Sequence, residues 1–87
     1  MHRTTRRFRR CLDGLPEPTQ ELARKSFDLL KTNPSHPSIR FKKVGKFWSA
    51  RVGLNHRALA VEDAPDFIWV WIGAHDEYKR IVQERGG

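Results

Sequence analysis

FIWVWIGAHDEYKR, residues 67–80, decides the fold. Its first part, Phe67 to Ile72, is apolar at every position, so an extended segment there can turn neither side to water. Such a run is expected as a central strand covered on both faces. Gly73 is expected to end it. Beyond the glycine the period changes: Tyr78, Ile81 and Val82 fall at i, i+3 and i+4, the spacing of a short helix. His75, Asp76, Glu77 and Tyr78 sit at the junction. A side chain there is held by a buried strand yet stands at the rim of the sheet.

Upstream, the chain reads as the rest of that sheet. His56 to Glu62 and Phe47 to Val52 are expected strands, joined by a turn at Gly53-Leu54-Asn55. Asp63 to Asp66, with Pro65, turns the chain into the central strand. Ile39 to Lys42 alternates apolar and basic residues, as an edge strand does. The short connections between these strands require antiparallel pairing. The first third of the chain is helical in pattern. Thr4 or Thr5 can cap a helix carrying Phe8, Cys11, Leu12 and Leu15, with Gly14 near its end. Pro18 suits the first turn of a second helix. That helix sets Leu22, Ala23, Phe27 and Leu30 on one face and stops at Asn33-Pro34. Met1 to Thr5 is too short and basic to read as a strand. The expected fold is α+β, one domain over residues 1–87. A helical hairpin packs on a four-stranded antiparallel sheet, and a short C-terminal helix follows.

At 87 residues the chain has room for one core. Eight Phe and Trp residues and a hydrophobic fraction of 38% are enough to build it. No apolar run approaches the roughly 18 to 20 residues of a membrane span, so no membrane partner is expected. TTRRFRR resembles a twin-arginine export signal, but no apolar segment follows it. The single Cys11 excludes an internal disulfide, and no Cys/His group has zinc spacing. These features predict a cytoplasmic protein, and neither a metal nor a small-molecule cofactor is expected.

Net charge is +7 and the sequence pI is about 10.3. The cations are not evenly spread. Arg3, Arg6, Arg7, Arg9 and Arg10 crowd the first ten residues without an acid. No Asp or Glu occurs between Asp28 and Glu62, a span holding Lys31, Arg40, Lys42, Lys43, Lys46, Arg51 and Arg57. Such a field favours polyanions: nucleic acid, or an acidic protein.

Several residues in this frame could carry chemistry. His75 could transfer a proton near neutral pH, although a lone histidine is more often an ordinary hydrogen-bonding residue. Tyr78, one helical turn on, could position a base or pack with Ile81 and Val82. Arg51 and Arg57 flank the turn between two strands, and their guanidinium forks match phosphate. Arg57 falls in register with Leu59 and Val61, among apolar residues. Either phosphate or a carboxylate such as Asp63, Asp66 or Asp76 would account for it. Lys42, Lys43 and Lys46 could follow a nucleic-acid backbone by charge. Trp48 could stack on a base, while Trp69 and Trp71 have the spacing of core. His56 and Asp76 are weaker candidates for a general base. No phosphate loop, dinucleotide fingerprint or metal-binding carboxylate cluster is present.

FWSARVGLNHRALAV followed by FIWVWIGAHDEYKRIV resembles the second half of the RelE/ParE superfamily of type II toxin–antitoxin toxins. LPEPTQELARKSFDLLKTNPSHPSIRFKKV resembles its helical hairpin and first sheet segment, so the likeness spans Phe8 to Val82. The ordered set is a basic hairpin with Arg57, a Trp-rich strand, then I-G-x-H-x-x-Y. Membership of the RelE-like branch implies a metal-independent endoribonuclease that cuts mRNA on the ribosome. In that chemistry the 2′-hydroxyl attacks the adjacent phosphate. The resemblance further implies catalytic roles for Arg57, His75, Tyr78 and Arg51, and an acidic antitoxin as partner. Two positions depart from the pattern. Where RelE has lysines on the strand before the hairpin, this chain has Trp48 and Ala50, and the usual N-terminal strand is not expected here. A non-catalytic gyrase inhibitor of the ParE type, and a non-toxic nucleic-acid-binding domain, are the alternatives.

Overall fold

The structure is a computed structural model that describes residues 1–86, with side chains placed through Glu84. In chain order it runs β1 (His2–Thr4), α1 (Arg6–Asp13), α2 (Glu17–Thr32), β2 (Lys42–Val44), β3 (Phe47–Val52), β4 (His56–Asp63), β5 (Asp66–Ala74) and α3 (His75–Ile81). A π-helical turn over Val82–Gly86 continues α3. The sheet has five strands in the order β1-β5-β4-β3-β2.

β5 is the central strand that its composition demands, with β4 antiparallel on one side and β1 parallel on the other. Two expectations fail here. The sheet is mixed and five-stranded rather than antiparallel and four-stranded, because His2–Thr4 does form a strand. It is held by main-chain pairing to Phe67, Ile68 and Trp69, and by Asp66, which meets the Met1 amine at 3.3 Å and Arg3 at 3.7 Å. Nor does β5 stop at Gly73; it continues through Ala74.

The register of β4 on β5 slips once. Leu59 lies opposite Trp71, but Ala60 lies opposite Trp69, leaving Val70 as the extra residue of a bulge. Alternation along a regular strand would put Trp69 and Trp71 on the same face. The bulge parts them. Trp69 is buried with Phe8, Ala23, Leu30, Ala50, Val52, Ala58 and Ile72 on the face that α2 covers. Trp71 is buried with Phe47 and Leu59 on the opposite face, where Tyr78, Ile81 and Val82 of the C-terminal helix close over it.

The helices follow their capping signals. Thr5 is the N-cap of α1, and its Oγ1 accepts the Phe8 N–H at 3.1 Å. The same hydroxyl donates to the Trp69 carbonyl at 3.0 Å, so one threonine starts the helix and pins it to β5. α2 begins with Pro18 in its first turn and ends at Thr32, before Asn33. Phe8 and Leu12 of α1 and Ala23, Phe27 and Leu30 of α2 pack in the same Trp69 core. β1 fills only the first part of the free edge of β5, and α1 takes the remainder. Cys11 accordingly touches both cores. Phe8 meets Phe27 of α2 edge to face at 5.4 Å between ring centres.

His2, unremarked in the sequence, belongs to this packing. Its ring stacks on Phe67 at 5.5 Å, and its Nδ1 accepts the Trp69 indole N–H at 3.0 Å. Burial, and then the charges of the α-amino group and Lys31, hold its pKa below the usual histidine value. The hydrogen bond needs the neutral ring, so both effects favour the same protonation state.

The indole of Trp71 packs against Gly73. A Cβ at that position would sit 2.5 Å from Trp71 Cζ2. Gly73→Ala should therefore lower stability by about 1–3 kcal/mol in urea denaturation, the usual cost of overpacking. Gly14→Ala is the control, because its Cβ would meet only ordinary 3.6 Å contacts. It should be neutral.

Candidate active site

Arg51 is the last residue but one of β3 and Arg57 the second of β4, and the antiparallel register sets them directly opposite one another. Arg57 in turn faces Gly73 on β5. The row Arg51, Arg57, Gly73 lies on the Trp71 side of the sheet, since Leu59, two residues from Arg57, packs there. Both arginines are half-buried. Like charges opposite each other in a sheet repel, so this arrangement is costly unless something anionic relieves it.

Within the described residues nothing does. The ion pairs among them are Met1 and Arg3 with Asp66, and Arg24 with Glu21. Asp63 lies at the far end of β4, six residues from Arg57, roughly 20 Å along an extended strand. Asp66 is engaged with the N-terminal strand, and Asp76 is exposed on α3. Carboxylate pairing therefore does not explain Arg57. The arginines bond to nearby carbonyls instead: Arg57 Nη1 donates to His56 O at 2.8 Å, and Arg51 Nε to Gly53 O at 3.1 Å. Each guanidinium keeps other N–H groups to offer an anion. Burial lowers the Arg57 pKa first, and the charge of Arg51 next; Tyr78 acts in the opposite sense, and Arg40 adds to the lowering.

His75 opens α3 immediately beyond β5. Its backbone N–H donates to Asn55 O at 2.9 Å, tying the start of the helix to the β3–β4 turn between the arginines. Tyr78 follows on the same face, and the two rings stack at 5.6 Å with 28° between their planes. Arg51, Arg57, His75 and Tyr78 thus gather at one end of the sheet, brought together by three strand ends and one helix start.

The remaining candidates divide. Lys42 pairs with Ser49, two residues from Arg51 on the same face, and is exposed beside the arginine pair. Lys43 pairs with Trp48 and points to the other face. Trp48 packs there against Phe41 at 4.9 Å and Phe67 at 5.3 Å, and its indole N–H donates to Glu62 at 3.0 Å. Lys46 lies in the hairpin turn at the other end of β3, roughly 16 Å from Arg51 along the strand. Trp48, Lys43 and Lys46 are thus not part of the cluster. His56 lies opposite Ala74, out of the row that holds the arginines. Among the described residues no group of three or more His, Cys, Asp or Glu is placed to hold a metal ion, and no helix is long and apolar enough to cross a membrane.

The sequence does not mark three contributors. Asn55 acts through its carbonyl, which no side-chain pattern reveals. Gly73 is needed for the approach of Trp71. Arg40 is one more cation of the acid-free span, and that its charge reaches Arg57 is not readable there.

No family model matches the sequence, and no curated protein matches it. Solved structures do. A chain of the RelB–RelE antitoxin–toxin complex from Methanococcus jannaschii superposes with a TM-score of 0.70 at 13% identity, covering 90% of this chain and 95% of that one. The fold is RelE-like. A copper-bound mutant toxin from Helicobacter pylori shares this RelE-like framework with a TM-score of 0.60 at 15% identity, over 87% of this chain and 94% of that one. At such identities the RelE-like backbone path is common ground, and the side chains at the sheet end are this chain's own.

A half-buried cation kept without a carboxylate partner is a poor choice for stability alone. Arg57→Met, which preserves the stem and removes the charge, should leave the urea midpoint unchanged or raise it. A loss above about 2 kcal/mol, the range of disrupted structural networks, would make Arg57 a structural residue.

Proposed function

We propose that this chain is the toxin of a type II toxin–antitoxin system and acts as a metal-independent endoribonuclease on mRNA bound to the ribosome. The observation that carries the reading is the opposed Arg51–Arg57 pair, without a carboxylate partner among the described residues and adjacent to the stacked His75 and Tyr78. The toxins among the similar structures support the biological setting.

The chemistry follows from the side chains. Arg51 and Arg57 hold the scissile phosphate by charge-assisted hydrogen bonds and offset the charge that grows on its oxygens in the transition state. The 2′-oxygen forms a bond to phosphorus as the bond to the 5′-oxygen breaks, leaving a cyclic phosphate and a 5′-hydroxyl. The 2′-hydroxyl gives up its proton and the departing 5′-oxygen takes one; His75 carries one of these two transfers and water the other, while Tyr78 positions the RNA against His75. Lys42 extends the phosphate track along the sheet. An acidic antitoxin segment would cover the same basic face and silence it, ordering as it binds.

His75→Ala should reduce ribosome-dependent mRNA cleavage by about 10²- to 10⁴-fold, the usual worth of a positioned acid or base. Arg57→Ala should abolish growth arrest on expression. Toxicity that survives His75→Ala, with gyrase rather than mRNA affected, would instead assign a non-catalytic inhibitor. Absence of any growth defect from the native chain would leave a nucleic-acid-binding domain.

A further inference from the structure

Arg40 adopts a left-handed backbone conformation, φ 48°, the only positive φ at a non-glycine position among the described residues. A side chain with a Cβ is strained there, and Asn or Gly is the common solution. Such strain persists where the surroundings enforce it, most often at functional sites. The enforcing contact is visible: the Arg51 N–H donates to the carbonyl of Ile39 at 2.6 Å, and Ile39 itself is buried at 2% exposure. The β2–β3 ladder pairs Lys42 with Ser49, but at Arg51 the bond goes to Ile39 and not to Arg40, so Arg40 is an extra residue at the end of the ladder, next to Arg51. The left-handed turn stops the ladder there, so that β2 begins only at Lys42. Arg40 is exposed and has no carboxylate partner among the described residues. Its charge nonetheless reaches Arg57, two strands away, closely enough to weigh on that guanidinium.

From this strained backbone, its place at the end of the ladder beside Arg51 and the absence of a partner, we infer that Arg40 is a third phosphate-binding arginine, held with Arg51 and Arg57 to grip the RNA phosphate next to the scissile one. The inference rests on the reading of the arginine pair as an RNA site. Arg40 just before β2, with the opposed Arg51 on β3 and Arg57 on β4, offers three cations to a single-stranded backbone crossing the sheet end. Arginine occupies a position where glycine would be easier because its charge is used.

The test separates strain from binding. Binding of the full chain to a fluorescein-labelled ten-nucleotide single-stranded RNA is measured over a salt series for the native protein, Arg40→Gly, Arg40→Lys and Arg24→Ala. Urea midpoints are recorded alongside. Arg40→Gly should keep or raise the midpoint, weaken binding several-fold at low salt and flatten the slope of log K against log salt by about 0.7, one phosphate contact on a single strand. Arg40→Lys should keep the slope, and Arg24→Ala, a remote cation paired with Glu21, should behave as native. Native binding with an unchanged slope in Arg40→Gly would overturn the inference, and so would a lower midpoint in that variant, since it would make Arg40 a structural residue. Native protein without salt-dependent RNA binding would take down the underlying RNA reading as well.

Discussion

The bulge at Val70 is the constraint on which the rest depends. A strand as apolar as FIWVWI has to be covered on both faces, and each cover needs a large anchor. By inserting one residue opposite the Leu59–Ala60 step, the chain delivers Trp69 to one core and Trp71 to the other. The same shift decides which side Gly73 and the strand end present. Trp71 then lies over Gly73 beside Arg57, and α3 closes down on it through Tyr78, Ile81 and Val82. The polar cluster is therefore built on the second, smaller core. Fixing α3 on that core fixes where His75 and Tyr78 stand.

Much of this is legible in the sequence, for physical reasons. The ends of β3 and β4 can be read because turn residues bound both strands. Thr5 and Pro18 mark the helix starts because capping chemistry is local. The missed features are those without a local signal. β1 is only His2, Arg3 and Thr4, held by a parallel main-chain ladder and by distant Asp66, so its shortness and composition argue against it. The bulge belongs to the pairing of two strands, not to either one. β2 begins at Lys42 rather than Ile39 because Arg40 turns left-handed, a choice imposed by Arg51 across the hairpin.

The candidate site was legible as a set of residue types but not as a set of neighbours. Counting cations finds Arg51, Arg57 and three lysines alike. Only register separates Lys42, on the face of the arginine pair, from Lys43, on the other. Trp48 looks free to stack on a base until its contacts with Phe41, Phe67 and Glu62 are seen. The cluster that remains is electrostatically unfavourable in the free protein: cations opposed across a ladder, half-buried, with a strained arginine at the edge. That tension is the physical argument for an anionic ligand.

The most direct test is ¹⁵N-edited NMR of the arginine side-chain N–H groups while the full chain is titrated with a short RNA whose reactive 2′-hydroxyl is replaced by hydrogen, so that it binds without being cut. The account predicts saturable shifts of the Arg51 and Arg57 guanidinium signals together with the His75 ring. Shifts confined to the arginines of α1, with the opposed pair and His75 unmoved at saturation, would contradict it.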